Sequence, residues 1–306
     1  MIEDVAHSEA TVPGLPVSSV VVPTWNSTAT LPRALASIED ATARIEIILI
    51  DDGSNDVDQL RAIAAADSRI ILIEKRERTN AAHSRAIGLE RASGDLVLFL
   101  DSDDHYRCGH LARRRRLHEA QGASVLIGRF RLNDGSREWD GPMSAYDGQD
   151  IEDYLFSDGG DARSSTISIH KAYTCGTTFD ARLAKHQDWG FVLAAHRNGE
   201  RIGFDPEPGV VVDTASRARM SARSNVDASL AFALDHVRSD SNRRRFLLGR
   251  LRTSLRLGDV AAGKRFRAAL LTLRPSPGER WKSAAMIVAG QLGIAAPLHR
   301  LLATRR

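Results

Sequence analysis

The residues best suited to chemistry lie in the stretch LVLFLDSDD, Leu96 to Asp104, where five apolar residues run straight into three carboxylates. Asp101, Asp103 and Asp104 repel one another, and carboxylates this close push each other's pKa upward. A bound cation relieves that repulsion. Hard divalent ions prefer oxygen ligands; Mg2+ or Mn2+ takes one or two carboxylates and fills its shell with water and phosphate oxygens. Asp101, Asp103 and Asp104 are therefore candidate ligands that could hold such an ion against a nucleotide diphosphate. There it would neutralise charge developing on the leaving group. The alternative for an isolated Asp-x-Asp is a merely solvated loop. Two further stretches carry polar groups at the end of apolar runs: Pro23-Thr24-Trp25-Asn26 and Asp51-Asp52-Gly53-Ser54. A carboxylate in the second can accept from a base N–H or a ribose hydroxyl, and Gly53 permits a tight turn beside a ligand. Asp and Gly also make ordinary turns.

These groups need elements to position them. VSSVVVP (Val17 to Pro23), IEIILIDDGS (Ile45 to Ser54), RIILIEK (Arg69 to Lys75) and DLVLFLD are short apolar runs that read as strands. Between them NSTATLPRALASIEDA, VDQLRAIAAA and NAAHSRAIGLERAS, the last stopped by Gly94, read as helices. This alternation predicts an α/β fold with a mostly parallel sheet covered on both faces. In such sheets ligands bind outside the carboxyl ends of the strands, the rim to which all three polar stretches belong. Further on, ASVLIGRFRL reads as a strand, NDGSREWDGPMSAYDGQD as a polar loop, and RIGFDPEPGVVVDT as closing strands. Trp189, Val192, Leu193 and His196 recur at helical spacing in a helix ended by Gly199. There is no G-x-G-x-x-G after the first strand and no phosphate-binding G-x-x-x-x-G-K-[ST], which argues against a dinucleotide fold or a P-loop.

Composition bounds the class. The chain has 306 residues, 42% hydrophobic and 26% charged, as ordinary soluble proteins do. Cys108 and Cys175 form no C-x-x-C pair, so neither a zinc site nor a disulfide framework is indicated, consistent with a reducing compartment. The first residues show no secretory signal, and no apolar stretch reaches the roughly 20 residues of a membrane span. The net charge of +3 hides an asymmetry: residues 216–306 carry 19 Lys/Arg against 5 Asp/Glu, leaving 23 against 34 in residues 1–215. The expected organisation is a loose tail over 1–16, an α/β domain over 17–215, and a basic helical region over 216–306. Such a basic region either faces an anionic partner or is a solvated helical surface.

Taken in order, VSSVVVPTWN, RIEIILIDDGSND, NAAHSRAIGLERASGDLVLFLDSDD and FDARLAKHQDWGFVLAAHRNGERIGFDPEP resemble family 2 of the GT-A glycosyltransferases, over roughly Val17 to Asp213. The resemblance implies a Rossmann-like GT-A domain and an inverting, metal-dependent enzyme using Mn2+ or Mg2+. The donor it implies is a nucleotide-sugar, a UDP-sugar first among them. The acceptor would be a glycan or lipid-linked glycan, as in cell-surface or exopolysaccharide synthesis. By the same resemblance Pro23, Thr24 and Asn26 line the nucleotide pocket, and Asp52 with Asp51 reads the base. Asp101, Ser102 and Asp103 form the Asp-x-Asp that meets ribose and metal, with Asp104 an additional acid. Asp188 in Gln187-Asp188-Trp189 stands where the family has its general base. Such a base must reach the acceptor hydroxyl to take its proton, and set opposite the leaving diphosphate it gives inversion. Without the resemblance, an acid favoured by a helix N-terminus is the first account of Asp188; with it, the general base is. The chain departs from the family pattern at Asn80, at Ser84-Arg85-Ala86 in place of Ala-Arg-Asn, and at Gln187 in place of Glu. Arg78 and Arg85 still supply cations for the diphosphate. The Gln187 departure leaves a non-catalytic nucleotide-sugar-binding protein as an alternative.

Other features are less directive. The run Arg113 to Arg116 reads as a solvated helix face. His83, His170 and His186 match no metal-ligand spacing and read as surface or substrate-contact residues. Trp25 and Trp189 could stack on rings or simply pack. A nucleic-acid partner is not expected, because the basic region lacks interleaved aromatics and any known module. Ser283 to Leu298 is 16 residues without charge, and Trp281, Ala285, Val288 and Leu292 form one helical stripe. Residues 281–302 thus either lie in a membrane interface or pack on the domain. The expected location is cytoplasmic, with peripheral contact at the inner face of the cell membrane.

Overall fold

A computed structural model describes residues 16–215 and 225–292, so most of the expected tail and residues 293–302 of the expected membrane segment lie outside it. The described residues fall into two units. The first runs through Gly148 and takes in Ala162–Arg182 and Gln187–Ala215; the second holds Gln149–Asp161, Leu183–His186 and the helices that follow residue 216.

The first unit is built on one mixed sheet. Its strands are β1 (Val17–Thr24), β2 (Arg44–Asp51), β3 (Ile70–Glu74), β4 (Leu96–Phe99), β5 (His105–Tyr106), β6 (Val125–Asn133), β7 (Glu138–Asp140), β8 (Ser168–His170) and β9 (Ile202–Asp213). The order is β3-β2-β1-β4-β8-β6-β9-β5, with β7 on the side of β6. β3, β2, β1 and β4 run parallel. Each is linked to the next by a helix: α1 (Leu31–Ala36), α2 (Val57–Ala65) and α3 (Ala81–Arg91). The interior of β1, β2 and β4 is fully buried Val, Ile, Leu and Phe, the near-continuous apolar pattern of strands covered on both faces. Gly88 lets α3 lie against β1, since a Cβ there would collide with the Val21 side chain.

β8 reverses direction beside β4, and β6 reverses again, so β6 and its parallel partner β9 point the same way as β4. The closing segment therefore differs from the expectation of separate strands: it is one strand of 12 residues that carries an irregularity of its own, residues 206–209 bulging opposite Arg129 alone. The first helix is also shorter than its polar lead-in suggested, because Ser27 to Thr30 turn before Leu31 begins it.

The arginine run is not a solvated face. It lies on α4 (His110–Gln121), and Arg114 is 1% exposed. Its guanidinium donates to Leu126 O, Ile127 O, Thr166 O and Ser168 Oγ and pairs with Asp205 at 3.6 Å. Burying a charge is unfavourable unless partners surround it, and here they do. Arg113 pairs with Asp205 and Glu207, and Arg115 reaches Ser18 Oγ and Val17 O.

The second unit contains α5 (Ile151–Phe156), α7 (Val226–Asp235), α8 (Asp240–Arg256), α9 (Val260–Thr272) and α10 (Pro277–Gln291). Phe232, Phe246, Leu251, Leu255, Phe266 and Leu270 form its core. His186 belongs to this core: it bonds Ser229 Oγ at 2.9 Å and lies 5.0 and 5.1 Å from the Phe232 and Phe246 rings. Burial pushes its pKa well below the ordinary histidine range. Gly263 and Gly290 face Leu255, which lets α9 and α10 pack closely on α8. The opposite face of α10 carries the predicted stripe, and its large members are exposed: Trp281 at 75%, Val288 at 53% and Leu292 at 68%. No described helix is long and apolar enough to cross a membrane.

Candidate active site

The carboxyl ends of β1, β2, β3, β4 and β9 share one rim of the sheet. At the end of β2, the Asp51 carboxylate accepts from the amides of Gly53 and Ser54 at 3.2 and 3.1 Å and from Ser54 Oγ. Gly53, at φ +78°, closes that turn in a conformation L side chains avoid. Asp52 instead faces β3: it pairs with Lys75 Nζ at 2.6 Å and accepts from Thr79 N at 2.7 Å. The end of β1 is tied to the same turn, since Asn26 N donates to Ser54 Oγ at 2.9 Å and Asn55 N donates to Asn26 Oδ1 at 2.7 Å. Asn26 itself adopts φ +49°, which Asn tolerates better than most residues. Thr24 is buried and hydrogen-bonds Ser27, and Pro23 is buried beside it in β1. Trp25 is 42% exposed, with the Arg78 guanidinium 3.6 Å over its ring.

The acidic turn after β4 is held from three sides. Ser165, in the 3-10 turn before β8, accepts from Asp101 N at 3.1 Å and donates to Asp104 Oδ2 at 2.7 Å. The other Asp104 oxygen accepts from Asp213 N at 3.0 Å, at the end of β9. Arg33 on α1 donates to Asp103 O at 2.7 Å and pairs with Asp213 at 2.6 Å. Asp104 is 3% exposed, whereas Asp101, Ser102 and Asp103 are only partly covered. Asp101, Asp103 and Asp104 offer oxygen atoms that all lie within 4.8 Å of one another. An all-oxygen anionic set of this size suits a hard divalent ion, and a zinc-type nitrogen or sulfur set is absent from it.

Arg85 connects this turn to the remaining acid. Its buried guanidinium pairs with Asp101 and donates to Gln187 Oε1 at 2.8 Å. Gln187 opens α6 (Gln187–Arg197), and Asp188, half-buried, follows it in the first turn. α6 runs directly into β9 through Gly199 and Glu200, which places its C-terminus below β9 and its N-terminus toward the rim. Asp188 therefore stands one residue from a side chain that reaches, through a single guanidinium, the first acid of the Asp-x-Asp. Residue type and spacing pick out most of these groups but not Lys75, Arg33 and Ser165. Lys75 had a signal, as the residue just past a strand aimed at the same rim. Ser165 and Arg33 had none.

The sequence model of glycosyl transferase family 2 matches residues 19–185, more than half of the chain. The chain belongs to glycosyl transferase family 2. Among curated members, it is 28% identical over 202 residues to the amylovoran biosynthesis glycosyltransferase AmsB of Erwinia amylovora, covering 62% of this chain and 67% of AmsB. It is 29% identical over 115 residues to the UDP-Glc:alpha-D-GlcNAc-diphosphoundecaprenol beta-1,3-glucosyltransferase WfgD of Escherichia coli. That match covers 37% of this chain and only 46% of WfgD. Among solved structures, S. aureus TarS 1-349 in complex with UDP-GlcNAc superposes with a TM-score of 0.59 at 16% identity, covering 94% of this chain and 92% of that one. The mannosyltransferase PcManGT of Pyrobaculum calidifontis, in complex with GDP-Man and Mn2+, gives 0.55 at 17% identity, covering 94% and 88%. At these identities the likeness speaks to the fold, which is that of the GT-A glycosyltransferases. Family membership and fold together make this chain a glycosyltransferase.

Proposed function

We propose that this chain transfers a sugar from a nucleotide-sugar, a UDP-sugar first, to a hydroxyl of a glycan or lipid-linked glycan, with inversion at the anomeric carbon. The observation that carries the reading is the Asp101–Arg85–Gln187 bridge, which ties the acidic turn after β4 to the helix bearing Asp188. In this reading Asp188 takes the acceptor proton as the hydroxyl attacks, since an alcohol is a poor nucleophile without a base within hydrogen-bond reach. The half-buried setting of Asp188 at the start of α6 keeps it accessible. Arg85, and Arg78 stacked on Trp25, supply positive charge for the diphosphate. Pro23, Thr24, Asn26, Asp51 and Asp52 build the nucleotide-facing wall, with Lys75 holding Asp52 in place. Ser102 lies between the two acids of the Asp-x-Asp. Asp101, Asp103 and Asp104 would hold Mn2+ or Mg2+, which when bound neutralises charge on the leaving diphosphate.

A peripheral position at the cytoplasmic face of a membrane belongs to the same reading. The exposed Trp281, Val288 and Leu292 stripe lies in a segment, residues 225–292, with 13 Lys/Arg against 5 Asp/Glu, a combination suited to anionic lipid. Co-sedimentation with vesicles containing phosphatidylglycerol tests this, and equal recovery with neutral vesicles removes it. The transfer itself is tested by donor turnover with Mn2+, screened over UDP- and GDP-sugars. Turnover that survives unchanged in Asp188→Asn would overturn the assignment of the base.

A further inference from the structure

Gln187 is the neutral one of two side-chain partners of the buried Arg85 guanidinium, and that neutrality has a consequence for the acids beside it. Arg85 is 4% exposed at its side chain. Its guanidinium has one carboxylate partner, Asp101, and one neutral partner, Gln187 Oε1. Its Nε is buried with no hydrogen-bond partner, and its Cζ lies 5.6 Å from the Phe179 ring centroid. A buried cation so placed has Asp101 as its principal counter-charge, because the amide of Gln187 satisfies geometry without adding charge. Asp104 is similarly committed, accepting from Ser165 Oγ and Asp213 N. Asp101 and Asp104 are thus already engaged by protein groups.

We propose that Gln187 is a positioning residue that leaves the charge of Arg85 to Asp101, so that the acidic cluster takes up its divalent cation together with a nucleoside diphosphate rather than ahead of it. The inference rests on the metal-assisted glycosyltransferase reading. A cation arriving alone must compete with Arg85 for Asp101. A nucleoside diphosphate offers Arg85 other anionic oxygens and so releases Asp101 to the ion. The two ligands then favour each other by more than their direct contact, and by reciprocity each raises the affinity of the other. A glutamate at 187 would give Arg85 a second carboxylate in the same buried setting and free Asp101 in advance.

The test measures Mn2+ affinity by titration calorimetry, with and without saturating UDP, for the full chain and three variants. Gln187→Glu is expected to bind Mn2+ alone about tenfold more tightly, with less than about a threefold change when UDP is present. Gln187→Leu, which keeps bulk and loses the acceptor, is expected to bind Mn2+ alone no more tightly than the unsubstituted chain. Arg85→Met removes the competitor and should tighten Mn2+ alone as Gln187→Glu does, which keeps the test intact if one variant fails to fold. Equal Mn2+ affinity in Gln187→Glu and the unsubstituted chain, or equal tightening by Leu and Glu, overturns the inference while leaving the glycosyltransferase reading standing. Failure of the unsubstituted chain to bind Mn2+ even with saturating UDP overturns both.

Discussion

Removing one oxygen atom, in Ser165→Ala, probes how the acidic turn is held. Ser165 is 1% exposed, and its hydroxyl serves two masters: it accepts from the Asp101 amide at 3.1 Å and donates to Asp104 at 2.7 Å. Alanine takes the acceptor from that amide and one donor from the Asp104 carboxylate. A buried polar group so stranded costs about 1–3 kcal/mol, with charged groups toward the upper end. Asp101 is only partly covered, so its amide belongs at the lower end, while Asp104 is 3% exposed and belongs at the upper. The remaining Asp213 amide still holds the other Asp104 oxygen at 3.0 Å. The sum is a loss of about 2–4 kcal/mol, or a fall in melting temperature of about 5–12 °C for a unit of this size. Urea and thermal unfolding followed by circular dichroism measure it. Ser136→Ala is the control, because that hydroxyl makes a similar 2.7 Å bond to Asp134 in an exposed turn, where water replaces it. It should change stability by less than about 0.5 kcal/mol. If Ser165→Ala is as mild as Ser136→Ala, the turn is not fixed by this hydroxyl and the reasoning fails.

Three further outcomes follow from the same geometry. Asp188→Asn should lower the rate of sugar transfer by about 10²–10⁴, as loss of a general base does, while Mn2+·UDP affinity stays within about twofold; a parallel loss of affinity would make Asp188 a donor ligand instead. Gly88→Ala should destabilise by about 1–3 kcal/mol despite the better helix propensity of alanine, because its methyl meets Val21, and denaturant midpoints read the change. His118 is held neutral by burial, its pKa lowered from 6.5 to about 3, with Nδ1 on Ala123 O at 2.7 Å and Nε2 on Ser168 Oγ at 2.8 Å. Because the unfolded chain takes up this proton first, stability is full above about pH 6.5 and falls by up to ~1.4 kcal/mol per pH unit between there and about pH 3. His118→Gln should flatten that slope by the same amount in pH-dependent unfolding.

What could be read from the residue order, and what could not, divides along a physical line. The parallel half of the sheet announces itself because β1, β2 and β4 are buried on both faces and so read as unbroken apolar runs ending in polar turns. Those turns share a rim by topology alone, which is why Thr24, Asp52 and Asp101 could be grouped without coordinates. The antiparallel half gives no such signal. β8 is three residues long, and nothing in its composition tells that it runs against β4 and brings Ser165 back to the acids. Arg114 misleads most: four arginines in a row look like a solvated face, yet one of them satisfies carbonyls from β6 and the turn before β8. Both omissions concern partners distant in sequence, whose pairing depends on strand order and not on local pattern.

The same division separates shape from charge at Gln187. Gln187 is neutral, and its carbonyl-type oxygen faces Arg85 at 2.8 Å. Shape and charge are separable at that position. A glutamine preserves the alignment of α6 with the turn after β4 while changing only the electrostatic balance around Asp101. The start of the helix that bears Asp188 is tied to that turn by a hydrogen bond that needs only an oxygen acceptor. In the proposal above, that balance sets how strongly Arg85 and an incoming cation would compete for one carboxylate, a difference of affinity and not of architecture.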